Sequence, residues 1–256
     1  MHEQAPHSIL HCNALWHHHH GKAGANPVMV IGGPALVLEQ ARLTLKGAAG
    51  PVEILRGVSL EVAAGESLAV MGVSGSGKSS LLALAAGLEP PSGGSVRLLG
   101  QELAGLSEDR LAKLRRGRVG VVFQAFHLLP NMTALENVAA GLELAGAARA
   151  KEARARAREA LARVGLSGRE GHYPSQLSGG EQQRTAVARA VAAGPEIVFA
   201  DEPTGNLDSA SGAAVRDLLF AAVRESKAAL VLVTHDAALA RNCARTITLV
   251  DGALAS

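Results

Sequence analysis

A glycine-rich loop is the feature of this sequence whose chemistry is easiest to define. It has the spacing G-x-x-x-x-G-K-[ST] and consists of Gly72, Val73, Ser74, Gly75, Ser76, Gly77, Lys78 and Ser79. In such a loop the backbone N–H groups converge on phosphate oxygens, the lysine meets the β- and γ-phosphates, and the hydroxyl is a ligand for Mg²⁺. The alternative is a turn with an accidental lysine, but a predicted strand before the loop and a predicted helix after it favour phosphate binding. The loop therefore predicts a bound nucleoside triphosphate.

Two neighbouring carboxylates, Asp201 and Glu202, end the apolar segment that begins at Ile197. Asp201 is predicted to reach the Mg²⁺ shell beside Ser79. Glu202 is predicted to orient and deprotonate an attacking water molecule. Two acids at a strand end could equally cap a helix, but together with the phosphate loop they indicate hydrolysis.

Two further polar side chains follow predicted strands, Gln124 after residues 119–123 and His235 after the strand that ends at Val233. Gln124 offers an amide to Mg²⁺ or to the attacking water, and His235 is placed to contact the γ-phosphate. Taken singly, each is more often an ordinary polar residue near a strand end. Their order along the chain, around the phosphate loop and the carboxylates, makes both candidate catalytic residues.

The segment Leu177–Arg184, with the sequence LSGGEQQR, adds a second candidate anion site. Ser178 is placed to cap a helix over residues 178–193, which Gly194 and Pro195 should end. A serine-capped, glycine-rich helix start binds anions through its free N–H groups. Ser178, Gly179 and Gly180 are therefore predicted to contact a phosphate.

The pattern of predicted elements indicates an α/β fold. Short apolar strands alternate with helices, which is typical of a mainly parallel sheet with crossover helices. The predicted strands include Ile54-Leu55, Val58–Val62, Ser67–Met71, Glu196–Ala200 and Leu230–Val233. The basic stretch that leads to Val119 is predicted to be irregular. The helix over Lys78–Gly87 is predicted to bury Leu81, Leu82, Leu84 and Leu88. Residues 125–176, rich in alanine, arginine and glutamate, are predicted to form an inserted helical subdomain. The tail over residues 245–254 is predicted to be a hairpin that turns at Asp251-Gly252.

Composition excludes several classes of protein. The length of 256 residues favours one domain or two closely fused ones, and the net charge of +2 gives no sign of a nucleic-acid partner. Two cysteines provide neither a disulfide framework nor a paired metal motif. No apolar run reaches the roughly 18 residues of a membrane-spanning helix. Any role at a membrane is therefore expected to depend on a partner.

Two histidine- or arginine-rich stretches have competing interpretations. Residues 1–34, with His17 to His20, are predicted to be a disordered leader or the product of an early start upstream of Met29, rather than a metal-binding tract. The arginines between residues 149 and 163 could form a patch for nucleic acid or lipid head groups. Because Glu152 and Glu159 interleave with them, a solvated helix face is the preferred interpretation.

These motifs together resemble the ATP-binding-cassette (ABC) family over residues 35–256. Residues 72–79 are similar to its Walker A loop, 197–202 to Walker B, 177–184 to its signature motif and 205–208 to its D-loop, and Gln124 and His235 match its Q-loop and switch residues. The resemblance implies an ATPase with an α/β P-loop NTPase core, an antiparallel β subdomain and an inserted α-helical subdomain. It further implies a head-to-tail homodimer in which each ATP, bound with Mg²⁺, lies between one copy's loop and Ser178, Gly179 and Gly180 of the other. Ser80, where the motif commonly has threonine, is included in the predicted ATP site.

A narrower resemblance rests on Asp201–Asp208, on Leu128-Leu129-Pro130 and on Ala134–Val138. These segments are similar to the lipoprotein-release and macrolide-export (LolD/MacB/FtsE) branch. That branch implies a peripheral subunit at the cytoplasmic face of the inner membrane, working on a separate integral-membrane permease. The alternative is an FtsE-like regulatory ATPase that signals through a permease-like partner and moves no cargo.

Two expectations concern particular contacts. Leu45 stands where many relatives have an aromatic residue that stacks on adenine, which predicts weak discrimination between ATP and GTP. The groove near Gln124, Phe126 and Leu128 is predicted to receive a cytoplasmic helix of the permease, with core packing of the apolar side chains as the alternative.

Overall fold

The computed structural model describes residues 33–47 and 50–255. Almost all of the predicted leader, including His17 to His20, lies outside the described residues. The strands are β1 (Leu36–Gly47), β2 (Gly50–Val62), β3 (Ser67–Met71), β4 (Gly93–Leu98), β5 (Gln101–Glu102), β6 (Val119–Val122), β7 (Ile197–Asp201), β8 (Ala229–Val233), β9 (Arg245–Val250) and β10 (Ala253–Leu254). The helices are α1 (Lys78–Ala85), α2 (Glu108–Arg115), α3 (Ala134–Leu144), α4 (Ala150–Arg163), α5 (Gly179–Val191), α6 (Ser209–Ser226) and α7 (Ala237–Ala240).

A six-stranded sheet in the order β10-β9-β3-β8-β7-β6 forms the centre of the fold. Strands β9, β3, β8, β7 and β6 are parallel, and β10 pairs antiparallel with β9 through the predicted turn at Asp251-Gly252. Every residue of β8 is buried, and alternate residues of β7 enter cores on opposite faces, Phe199 on one and Val198 on the other. Because both faces are covered, these strands read as continuous apolar runs. The α/β prediction is confirmed.

A second, antiparallel sheet has the order β2-β1-β4-β5. The two short predicted strands at Ile54-Leu55 and Val58–Val62 are parts of one strand, β2, which pairs along most of β1. Side chains such as Leu38, Leu55 and Val96 join the core shared with α1 and one face of the central sheet. This packing brings β2 against the helix that follows the glycine-rich loop.

A separate apolar core lies among α3, α4 and the middle of α5. Helix α4 buries Ala153, Ala157, Ala160 and Leu161 on one face. Arg154, Arg158 and Arg163 are exposed, and Arg154 is 3.5 Å from Glu136. Arg156 is half-buried and donates to the Ala147 carbonyl at 2.6 Å. The small buried alanines allow close approach of α3, and the charged residues cover the outside.

Three local predictions were wrong. Leu88 is 41% exposed, because α1 ends at Ala85 and the left-handed Gly87 turns the chain away from the core. The basic stretch before β6, expected to be irregular, contains helix α2. Strand β6 ends at Val122, one residue before the predicted end, and Gln124 lies in the loop that follows.

Candidate functional site

The glycine-rich loop connects β3 to α1 at the carboxyl edge of the central sheet. The Lys78 side chain is largely buried, and its Nζ donates to the carbonyl oxygens of Gly72 at 2.9 Å and Val73 at 2.8 Å. The loop thus wraps around the Lys78 side chain, whose ammonium group is bonded to the loop's own backbone. Gly72 has φ 155°, and a β-carbon there would lie 2.3 Å from the Leu249 carbonyl oxygen, so only glycine fits.

The hairpin of β9 and β10 forms hydrogen bonds to this loop and to β2. The Gly252 N–H donates to the Ser76 carbonyl at 3.1 Å, and the Gly252 carbonyl accepts from the Arg56 N–H at 2.8 Å. A β-carbon on Gly252, which has φ 78°, would lie 2.2 Å from the Ile54 carbonyl oxygen. These contacts fix the positions of the phosphate loop, β2 and the Asp251-Gly252 turn relative to one another.

An open cavity of about 660 Å³ lies over the loop, a volume within the usual range for small-molecule sites. The predicted residues that line it are Val73, Ser74, Gly75, Gly77, Lys78, Ser79, Ser80, Gln124, Glu202 and His235. Ile54, which the sequence did not single out, lines it as well. Gly72, Ser76 and Asp201 are not among the lining residues; Ser76 is buried within the loop, and Asp201 is the last residue of β7. Folding thus gathers residues from five separate segments around one space.

Glu202 and His235 form a hydrogen-bonded pair at the edge of this cavity. Glu202 Oε1 lies 2.7 Å from His235 Nδ1 and accepts from the His235 backbone N–H at 3.0 Å. The Thr234 hydroxyl donates to Glu202 Oε2 at 3.2 Å. Glu202 has φ 42°, a left-handed conformation that is unfavourable for a non-glycine residue and is often found at functional sites. These contacts fix a carboxylate that is available to a water molecule in the cavity.

Asp201, the last residue of β7, has a carboxyl group in an unusual environment. Burial raises the pKa of Asp201, and the neighbouring Glu202 charge raises it further, while a hydrogen bond from Ser79 and the charge of Lys78 act to lower it. Among the described residues, no group hydrogen bonds to the buried Asp201 Oδ1. A buried carboxylate oxygen beside a serine hydroxyl is a donor set that suits Mg²⁺, which prefers oxygen ligands.

Gln124 is held by the loop that follows β7. Its Nε2 donates to Asn206 Oδ1 at 3.1 Å, and Asn206 Nδ2 donates back to the Gln124 backbone carbonyl at 3.1 Å. Two and three residues farther on, Phe126 and His127 have φ 63° and 47°, and the Arg189 guanidinium donates to both of their carbonyl oxygens. The position of Gln124 thus depends on partners more than 60 residues away in sequence.

The predicted second anion site does not line the cavity. Ser178 caps α5 as expected: its Oγ accepts from the Glu181 N–H at 3.3 Å, and the Glu181 carboxylate accepts from the Ser178 N–H at 2.8 Å. Ser178 is exposed, and Gly179 and Gly180 follow it at the free end of the helix. One chain therefore contains a phosphate loop and an open helix start that do not share a cavity.

A phosphate loop between a parallel strand and a helix, with carboxylates at the end of a neighbouring strand, defines the class of P-loop nucleotide-binding proteins. The ABC transporter family profile matches residues 55–205. The chain belongs to this family, and it is an ATP-binding cassette ATPase.

Similar proteins agree with the branch that the sequence indicated. The uncharacterized ABC transporter ATP-binding protein YbbA of Escherichia coli K12 is 51% identical over 203 residues, 79% of this chain and 89% of YbbA. The lipoprotein-releasing system ATP-binding protein LolD 2 of Caulobacter vibrioides is 49% identical over 221 residues, 86% of this chain and 96% of LolD 2. The solved dimeric post-hydrolysis state of the cassette MJ0796, bound to ADP and Pi, matches with a TM-score of 0.81 and 40% identity over 86% of this chain and 97% of that one.

Sequence reasoning missed Ile54, Thr234, Asn206 and Gly252 as parts of the site's structure. Asn206 stands in the segment that resembles the D-loop, and Thr234 is next to His235, so position in a motif was an available signal for these two. Ile54 and Gly252 are brought to the phosphate loop by tertiary packing of β2 and the C-terminal hairpin. Nothing in their local sequence indicates that contact.

Proposed function

We propose that this chain is the ATP-hydrolysing subunit of an inner-membrane transporter, in which two copies bind Mg²⁺-ATP head to tail and act on a separate permease. The observation that supports it best is the cavity in which the phosphate loop meets Gln124, Glu202 and His235. Such a cavity combines phosphate binding with a carboxylate that can serve as a base.

In this proposal the floor of the cavity holds the triphosphate and its metal. Backbone N–H groups of the loop surround the phosphates, and Lys78 exchanges its two carbonyl contacts for phosphate oxygens. The Ser79 hydroxyl, Asp201 and Gln124 would hold Mg²⁺, directly or through water. The bound ion would neutralise charge on the transferred phosphoryl group.

In this proposal Glu202 and His235, at the edge of the cavity, carry out the hydrolytic step. Glu202 orients the attacking water and accepts its proton, and the three hydrogen bonds to its carboxylate keep it aimed at the γ-phosphate position. His235, held by Glu202, contacts the γ-phosphate. Mutual placement of these groups before ATP arrives reduces the reorganisation that the reaction needs.

A second copy of the chain is proposed to supply Ser178, Gly179 and Gly180. These residues form an open helix start that lies outside their own chain's cavity, where N–H groups and the helix dipole favour an anion. The solved relative MJ0796 is dimeric with ADP and Pi bound, which supports a two-copy assembly. In a head-to-tail pair, each helix start would meet the γ-phosphate held by the partner copy.

The membrane role is proposed from the relatives and from one groove. No helix in the described part of the chain is both long and apolar enough to cross a bilayer. The macrolide export ATP-binding/permease protein MacB 1 of Aeromonas hydrophila is 48% identical over 204 residues, which cover 31% of that protein. The names of the relatives concern transport and lipoprotein release, so no observation favours the regulatory alternative.

The permease is proposed to dock in a groove of about 710 Å³ between the central sheet and the helical region. Its walls come from α2, β6, α3 and α5, and the exposed Leu144 lies at its edge. Gln124, Phe126 and Leu128 do not line it, so the groove lies beside the expected position. Arg189 lines the groove and also bonds the turn after Gln124, which connects the two places.

The test is purification of tagged chain from membranes, with the co-purifying permease identified by mass, followed by ATPase assays in vesicles that contain it. The proposal predicts permease-stimulated hydrolysis. Leu144→Glu should abolish the stimulation and leave basal hydrolysis intact, whereas Leu88→Glu, at an exposed leucine outside the groove, should change neither. Absence of a co-purifying permease, or equal stimulation of both variants, would contradict the proposal.

A further inference from the structure

Gln124 and Asn206 are joined by two hydrogen bonds, one between their side-chain amides and one from the Asn206 amide to the Gln124 backbone. Asn206 Nδ2 donates to the Gln124 backbone carbonyl at 3.1 Å, and Gln124 Nε2 donates to Asn206 Oδ1 at 3.1 Å. Both residues are exposed in the single chain, and 82 positions separate them in sequence. The pair therefore links the loop after β6 to the loop after β7.

This pair determines which end of the Gln124 amide faces Asn206. A backbone carbonyl can only accept, so the group of Asn206 that meets it must be the NH₂ donor. The Asn206 oxygen is then the atom that faces the Gln124 amide, and it can be met only by Gln124 Nε2. The remaining atom, Gln124 Oε1, is directed away from Asn206. Among the described residues, none donates a hydrogen bond to this oxygen.

Gly205 narrows the space available to the same amide. A β-carbon built on Gly205 would lie 2.9 Å from Gln124 Nε2 and 3.4 Å from Gln124 Cδ. The amide thus lies against a bare backbone on one side and Asn206 on the other. Its NH₂ end is bonded to Asn206 and lies against Gly205, whereas its oxygen has no donor among the described residues.

We propose that Asn206 is a positioning residue that orients the Gln124 carboxamide so that its oxygen, and not its nitrogen, is presented to the metal ion. An amide nitrogen has no lone pair to offer a cation, whereas the amide oxygen is a good ligand for Mg²⁺. Asn206 itself need not contact the nucleotide or the metal. This inference rests on the proposed role of Gln124 as a metal ligand, direct or through water.

The experiment measures the binding of Mn²⁺, as a spectroscopic substitute for Mg²⁺, to the full chain with ATP by electron paramagnetic resonance. All proteins carry Glu202→Gln, so that turnover does not consume the ATP. Asn206→Ala should raise the Mn²⁺ dissociation constant about twofold to tenfold, since the freed side chain must be ordered at binding. Asn242→Ala, at an asparagine with only local contacts to α7, is the matched control and should leave it unchanged.

A double substitution separates orientation from a merely structural role. In Gln124→Glu both ends of the side chain are oxygens, so orientation no longer matters. Asn206→Ala should therefore weaken Mn²⁺ binding in the Gln124 protein and have no such effect in the Gln124→Glu protein. An equal loss in both backgrounds would overturn the proposal, because it would show that Asn206 acts through the loop or the dimer.

A second variant displaces the amide without removing Asn206. Gly205→Ala pushes against the flexible end of Gln124, which can move at little cost to folding. It should weaken Mn²⁺ binding with an unchanged thermal midpoint, and again only when residue 124 is glutamine. Unchanged Mn²⁺ binding in Gly205→Ala would count against the proposed orientation. Gln124→Ala tests the underlying assignment separately: if it leaves Mn²⁺ affinity unaltered, the proposed role of Gln124 as a ligand fails first.

Discussion

Replacement of Glu202 by glutamine should separate the folding role of this side chain from its chemical role. The amide oxygen of glutamine can still accept from the His235 backbone N–H, now made at 3.0 Å. The new NH₂ group then faces Thr234 Oγ1, now 3.2 Å away, which can accept as well as donate. Because the contacts can be remade, we expect the free energy of unfolding to change by less than about 1 kcal/mol.

The chemical loss should be much larger. A neutral amide cannot accept the proton of the attacking water, and a positioned general base contributes ~10²–10⁴-fold to a rate. We therefore expect the turnover number for ATP to fall by that factor, equivalent to about 2.7–5.5 kcal/mol on the activation barrier. ATP binding, which depends on the loop and Lys78, should persist, and with ATP the variant should accumulate as a dimer.

Phosphate release measures turnover, a fluorescent ATP analogue measures binding, and size-exclusion chromatography measures the dimer. The matched control is Glu196→Gln, since Glu196 immediately precedes β7 whereas Glu202 immediately follows it. Glu196 is exposed and pairs with Arg118 at 2.6 Å, so its loss should leave hydrolysis unchanged. Native turnover in Glu202→Gln, or the same loss in both variants, would refute the assignment of Glu202 as the base.

Three further predictions concern substitutions of Ser178, Leu45 and Gly252, and the first two have control substitutions elsewhere in the chain. Ser178→Ala and Thr133→Ala each remove a capping box, so each should lower the free energy of unfolding by about 1 kcal/mol, but only Ser178→Ala should weaken the ATP-dependent dimer seen by chromatography. Leu45→Tyr should tighten ATP binding in a fluorescence titration, by up to ~1–3 kcal/mol if the ring stacks on adenine, whereas Leu88→Tyr, at an exposed leucine that does not line the cavity, should not; equal constants for both would disprove stacking. Gly252→Ala should lower both the thermal midpoint and ATP affinity, because its β-carbon would meet the Ile54 carbonyl beneath the phosphate loop; a native affinity would show that the hairpin does not support the loop.

The central sheet was largely predictable because its strands are locally encoded. Strand β3 has the bounds that its apolar run and flanking turn predicted, and β7 and β8 differ by one residue from the prediction. Their continuous apolar runs follow from burial on both faces of a parallel sheet. Helix α5 was equally predictable, since Ser178 and Glu181 form a capping box whose spacing is visible in the sequence.

The rest of the site depends on contacts between distant segments, which local patterns do not encode. Ile54 reaches the cavity because β2 packs against α1, and Asn206 meets Gln124 across 82 positions. Leu88 was assigned to the core by helical spacing, but the left-handed Gly87 ends that spacing one residue earlier. Helical periodicity predicted burial correctly only for residues that lie within the helix itself.

Arg189 of α5 lines the proposed permease groove and also bonds the turn that follows Gln124, a residue that lines the cavity. Its stem packs over Gly141 of α3, where a β-carbon would lie 3.1 Å from Arg189 Cγ. Its guanidinium donates to the carbonyls of Phe126 at 3.0 Å and His127 at 2.7 Å. Both of these residues have left-handed backbones, which cost energy and therefore need such support. A shift of α3 against α5 in the groove would thus change the support of the strained turn next to Gln124, with no change in the central sheet.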